Sequence, residues 1–197
     1  MYDYITGTLA ELNPAFAVID NQGIGYMINV SLTTYTTLQH DAGVGQRARL
    51  YIYEAIREDA HLLYGFASRQ ERELFLLLIS VSGVGTNMAR MILSSLPPEQ
   101  LEKTIATGNV GMLKGVKGIG AKTAQRIIVD LKDKINGASG ALISQGQAAG
   151  EAFDEAIAAL TMLGFKQQDS QKVLKKLFLE QPGLTAEEAI KKALKMF

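Results

Sequence analysis

The chain has 197 residues, 47% of them hydrophobic and 20% charged, with 20 basic and 20 acidic side chains, two histidines and no cysteine. That length can bury several small cores. The lack of cysteine excludes disulfides, zinc ribbons and thiol nucleophiles, and the isolated His40 and His61 read as surface or turn residues, with no metal or cofactor implied.

No apolar run approaches the ~18 residues that span a bilayer. Met1-Tyr2-Asp3-Tyr4 lacks the basic-then-apolar pattern of a signal peptide, so a cytoplasmic location without a membrane partner is expected. The formal net charge of zero hides a division. Residues 1–64 carry three basic against seven acidic side chains, a balance of −4, whereas residues 65–149 carry ten against six, a balance of +4. Phosphate contacts are therefore expected in the middle of the chain.

The elements predict a multidomain α+β protein. In residues 1–66, Tyr4–Leu9, Phe16–Ile19, Tyr26–Val30, Ala48–Tyr53 and Leu62–Phe66 are short β-branched or aromatic runs separated by turn residues. A short helix over Leu32–Leu38 falls between the third and fourth. Five strands with a helix there suit an OB-type barrel. Gly23-Ile24-Gly25 opens no helix and reads as turn and bulge glycines. Arg57-Glu58-Asp59-Ala60 falls at the turn between the last two strands. By itself it is an ordinary charged hairpin tip, although acids projecting from a phosphate-binding protein would repel the backbone.

Residues 67–136 are predicted helical: Glu71–Ile79, Asn87–Leu96 stopped by Pro97-Pro98, Pro98–Ala106, Val110–Leu113 and Ala121–Ile135. Residues 137–150 are small, uncharged and glycine-rich, a flexible-linker composition. Residues 151–197 read as three helices, Glu151–Leu163, Asp169–Leu179 and Thr185–Met196, the last opened by the capping box Thr185-Ala186-Glu187-Glu188.

The strongest signal is an internal repeat. Ser82-Gly83-Val84-Gly85 and Lys117-Gly118-Ile119-Gly120 lie 35 residues apart, and Ala89/Ala124, Ile92/Ile127 and Leu96/Leu131 coincide behind them. One Gly-x-Gly before a helix is most often only a corner. Two aligned copies point to tandem helix-hairpin-helix units, whose backbone N–H groups and helix N-termini hold phosphate. The candidate DNA-binding residues are Gly83, Val84, Gly85 and Arg90 in the first copy. In the second they are Lys117, Gly118, Ile119, Gly120, Lys122 and Arg126. Nothing in the set reads base edges, so binding is expected to be sequence-independent and salt-sensitive.

Two enzymatic readings weaken on inspection. Gly115 to Thr123 has phosphate-loop glycine spacing, but Ala121 stands where the lysine belongs and no strand precedes it. Lys122 could be a Schiff-base nucleophile of a glycosylase or lyase, yet residues 136–150 contain no partnering carboxylate. No catalytic residue is assigned. A protein-interaction adaptor built on a helix-hairpin scaffold is the third alternative. In the last module, Leu163-Gly164-Phe165 reads as a glycine C-cap with its apolar contact. The three-helix pattern also resembles ubiquitin-associated (UBA-like) domains, which makes Leu163 and Phe165 candidate partner-binding residues.

Taken together, Arg57–Phe66, Gln70-Glu71-Arg72, the first hairpin with Ala89 and Ile92-Leu93, and Gly118–Arg126 resemble the RuvA family of Holliday junction branch migration subunits. The resemblance covers the whole chain and implies a homotetramer, or two facing tetramers, holding a four-way DNA junction open. It implies that Glu58 and Asp59 form an acidic pin at the crossover. It also implies that the third module contacts the hexameric RuvB motor, where ATP is hydrolysed, and that the RuvC resolvase can join. Family members often carry Pro-Lys where this chain has Thr86-Asn87, and two lysines where it has Ala121-Lys122. Fewer cations imply weaker binding at a given salt concentration.

Overall fold

Apolar residues alternate with polar ones along five strands: β1 (Tyr4–Leu12), β2 (Phe16–Asn21), β3 (Ile24–Val30), β4 (Arg47–Ile56) and β5 (His61–Phe66). The computed structural model describes residues 2–58, 60–142, 148–181 and 183–197. Asp59 and residues 143–147 of the expected linker lie outside the described residues. The strands close in the order β1-β2-β3-β5-β4, with β3 and β5 parallel and all other pairs antiparallel. Closure leaves no open sheet edge. Inside sit Ile5, Leu9, Ala17, Ile19, Ile28, Val30, Leu50 and Ile52.

Helix α1 (Leu32–Asp41) plugs the barrel with Leu38 and is capped by Ser31, whose Oγ accepts from the Thr34 N–H. The expected bulge at Gly25 is not there. Gly25 pairs in register with Asp20, and the irregularity lies in β1 between Leu9 and Glu11. Gln22 and Gly23, both at positive φ, turn the β2–β3 hairpin tightly enough for Ile24 and Gly25 to extend the strand.

The helical module contains α2 (Arg69–Ile79), α3 (Thr86–Ser95), α4 (Pro98–Ala106), α5 (Val110–Lys114) and α6 (Ala121–Leu142). It packs against the barrel. Residues 1–135 form one compact unit. Tyr64 and Phe66 of β5 carry their rings out of the barrel onto Phe75 of α2, at centroid distances of 5.4 and 4.9 Å. Those rings continue into a core of Leu78, Ile92, Leu93, Leu101, Ile127 and Leu131. Large apolar groups at the end of β5 would otherwise face water, so shared burial fuses the two modules.

The second unit, from Asn136 onward, contains α7 (Ala148–Met162), α8 (Gln167–Glu180) and α9 (Ala186–Ala193) around Ala156, Leu160, Leu174, Leu177 and Ala189. The capping box at Thr185 and Glu188 forms as the sequence indicates. Helical backbone also reaches Leu142 and resumes at Ala148, inside the stretch 137–150 whose composition predicts a linker. Gly137 and Gly140 lower the propensity there, but extending an existing helix needs no new nucleus.

Candidate nucleic-acid interface

The two hairpins have the same geometry. After α2, the Val84 N–H donates to the Val81 carbonyl at 3.0 Å around Gly83 at φ +92°. After α5, the Ile119 N–H donates to the Val116 carbonyl at 3.1 Å around Gly118 at φ +89°. Each is a β-turn that needs positive φ at its third residue, so glycine is required there by the fold. Val84 and Ile119 are only 4% and 6% exposed. Their side chains are buried and their N–H groups close the turns, so they shape the hairpins from inside.

Each turn feeds a helix whose first N–H groups face outward. The Ala89 N–H donates to the Gly85 carbonyl at 2.9 Å, and the Ala124 N–H to the Gly120 carbonyl at 3.0 Å, starting the α3 and α6 ladders. The amides before them have no intrahelical acceptor, and no side chain caps α3. Gly85 and Gly120 differ from the turn glycines. Neither is at positive φ, and a Cβ built on either meets nothing within 4 Å. The fold therefore does not require glycine at 85 or 120. The missing side chains leave an open approach to exposed amide donors, the arrangement that binds phosphate.

The two sites are neighbours. A Cβ on Gly118 would lie 3.6 Å from the Met91 methyl of α3. Arg126 Nη1 of α6 donates to the Ser82 carbonyl of the first hairpin at 3.2 Å. Arg126 thus ties the hairpins together as well as adding charge. Lys117 and Lys122 are exposed beside the second hairpin. Arg90 Nη1 donates to the Ala15 carbonyl in the β1–β2 turn at 3.0 Å, bracing the barrel against α3. Tyr64 adds a link invisible in the sequence, donating from its hydroxyl to Thr86 Oγ1 at 3.0 Å, at the first residue of α3.

The β4–β5 hairpin carries the acidic tip. Ile56 and His61 are the last pair, the Arg57 N–H donates to the Ala60 carbonyl at 2.8 Å, and Glu58 is exposed. Below the tip, His61 Nε2 lies 2.6 Å from Glu54 Oε1.

Behind the interface, Glu71 is 1% exposed. Ser31 Oγ and Thr34 Oγ1 donate to its two oxygens at 2.5 and 2.7 Å, and Thr34 Oγ1 also accepts from the Ala67 N–H at 3.1 Å. Burial pushes this carboxyl above the ordinary glutamate range, with the hydroxyl and backbone hydrogen bonds opposing the shift. The cluster clips α1 to the start of α2, and the only sequence sign of it was a glutamate on an apolar helix face. In the second unit, the Phe165 N–H donates to the Leu160 carbonyl and the Gly164 N–H to that of Thr161, with Gly164 at φ +95°. This is a Schellman cap. Phe165 packs on the core and stacks on Phe197 at 4.3 Å, whereas Leu163 is 60% exposed. The two candidate partner residues therefore divide into one packing and one surface position.

Among the described residues no cluster of three His, Asp or Glu could hold a metal, and no helix is long and apolar enough to cross a membrane. Family models match along most of the chain: the RuvA N-terminal domain over residues 1–65, the SAM-like helix-hairpin-helix tandem over 75–133 and the RuvA C-terminal domain over 151–196. Curated relatives named Holliday junction branch migration complex subunit RuvA include one from Bacteroides fragilis, 57% identical over 99% of each chain. Others come from Bacteroides thetaiotaomicron, 55% identical over 99% of each chain, and Flavobacterium psychrophilum, 44% identical over 99% of each chain.

Proposed function

The chain belongs to the RuvA family, and on that footing we propose that it is the non-catalytic DNA-binding subunit of a branch migration complex. It binds four-way junctions as a homotetramer and recruits a RuvB-type ATPase motor in the cytoplasm, with a RuvC-type resolvase able to join. The carrying observation is the pair of outward helix N-termini, each fronted by a glycine the fold does not itself need.

In this reading Gly83, Gly85, Gly118 and Gly120 present main-chain donors to phosphates, and Lys117, Lys122 and Arg126 add charge-assisted contacts. Arg90, Val84 and Ile119 act indirectly by fixing the hairpins. Glu58, with Asp59 beyond the described residues, forms a pin that repels phosphates at the crossover while the outer hairpins hold the arms. Repulsion between bare charges ~4 Å apart is about 1 kcal/mol in bulk water and several times that in a less polar setting. Leu163, exposed at the end of α7, is the candidate motor contact.

The test is a competition between a four-way junction and linear duplexes of equal length, with solution mass measured with and without junction. Preference for the junction, together with four-subunit assembly, is expected. Equal affinity for both DNAs, or a strict monomer on the junction, would remove the basis of this reading.

A further inference from the structure

The acidic barrel has a basic, aromatic face that the hairpin mechanism does not use. On the outer surface of β1 and β4, Tyr4 lies opposite Tyr51, Thr6 opposite Arg49 and Thr8 opposite Arg47. The Arg49 guanidinium lies 4.5 Å over the Tyr4 ring while its Nε donates to Thr6 Oγ1 at 3.0 Å. From α2, Arg69 and Arg72 reach over Tyr51 at 5.5 and 5.6 Å. Arg72 is also held by Asp3, at 2.6 Å. Arg47, Arg49 and Arg69 are exposed, and Tyr4 is 49% exposed. Beside Thr6 and Arg47 the surface opens into a polar cleft of about 260 Å³, walled also by Thr8, Asp20, Asn21 and Gln22.

We propose that this β1–β4 face is a second nucleic-acid site, a short track for unpaired single-stranded DNA. Flat guanidinium groups on tyrosine rings offer planar surfaces for bases and positive charge for phosphates, the combination found in sequence-tolerant single-strand sites. A duplex buries its base faces and cannot use them, and an acidic peptide would engage the guanidinium groups but leave the tyrosine rings without a stacking partner. Four arginines stand against Asp3 and Asp20 here, although residues 1–64 as a whole carry −4. From Arg47 to Tyr51 the track spans about 13 Å at ~3.3 Å per strand residue, room for a few nucleotides. β4 runs directly from this face to the Arg57–Ala60 turn.

The site is independent of the hairpins, so its test separates from that of the proposed function. Fluorescence anisotropy with a labelled 15-mer oligothymidylate and the full chain should show salt-sensitive binding. Arg49→Ala with Arg69→Ala should weaken it about tenfold or more, and Tyr4→Ala about fivefold, as expected for lost phosphate and stacking contacts. All three residues are exposed at least in part, so folding should survive, as a melting curve can check. Gly85→Ala with Gly120→Ala should leave oligothymidylate binding within about twofold. Photocrosslinking of 5-iodouracil in the same oligomer should map to Tyr4 or Tyr51. Crosslinks confined to the hairpins, or unchanged affinity in the arginine variant, would overturn the proposal. So would an arginine variant whose solution mass falls, marking the face as an interface between copies, or equal competition by oligoglutamate, marking it as a surface for an acidic protein.

Discussion

Four glycines that look equivalent in the sequence should separate into two classes when replaced by alanine. Gly83 and Gly118 sit at φ +92° and +89°. Alanine there takes on left-handed strain of about 1–3 kcal/mol at each site. Gly83→Ala with Gly118→Ala should therefore melt well below the parent, by roughly 2–4 °C per kcal/mol in a unit of this size. Gly85 and Gly120 avoid positive φ, and their added methyl groups meet nothing. Gly85→Ala with Gly120→Ala should melt at or slightly above the parent, since losing unfolded-state freedom stabilises by about 0.4–1 kcal/mol per compatible site.

Binding should follow the opposite order relative to stability. A methyl group on each outward corner keeps a phosphate from the 2.7–2.9 Å approach that charge-assisted hydrogen bonds need. One such bond lost per hairpin, at about 1.5–3 kcal/mol each, predicts at least a hundredfold weaker junction binding. Thermal melts and gel shifts of the two double variants, run in one buffer, decide the matter. Parent-like junction affinity in the stable Gly85→Ala, Gly120→Ala protein would refute the main-chain phosphate grip.

Three further outcomes follow from named contacts. Glu71 has a folded-state pKa raised by burial, so its favourable contribution is complete below the unfolded glutamate pKa of ~4.3 and is lost as pH rises through the folded value. Glu71→Gln should abolish that decline in melting temperature with pH, whereas Glu71→Ala, which strands the Ser31 and Thr34 hydroxyls, should destabilise by about 2–5 kcal/mol. Glu58→Gln with Asp59→Asn should bind junctions as tightly as the parent or tighter while changing the branch migration rate; clearly weaker binding in a gel shift would contradict repulsion by the pin. In the second unit, Phe165→Ala should lower thermal stability by about 1–3 kcal/mol. Leu163→Asp should leave stability within about 0.5 kcal/mol while reducing stimulation of the motor's ATPase, and parent-like stimulation would remove Leu163 from the contact.

Among the described residues, hydrophobic alternation and period were enough to locate the strands and helices, though not where α6 ends and α7 begins, because those patterns arise from local backbone geometry. Pro97-Pro98 ended α3 and opened α4, Thr185 and Glu188 started α9, and Gly164 stopped α7. The glycine repeat likewise revealed the hairpins, since a turn residue near φ +90° strongly favours glycine. Tertiary structure alone decided what those elements share. The parallel β3–β5 pairing, the rings of Tyr64 and Phe66 on Phe75, and the Ser31–Thr34–Glu71 clip join residues 30 or more apart or leave one module for the next. It also set Arg90 on the Ala15 carbonyl and gathered Arg49, Arg69 and Arg72 onto Tyr4 and Tyr51. Charge counts along a chain cannot foresee either result. A side chain's nearest partner depends on which distant backbone folds beside it, and residue order does not encode that proximity locally.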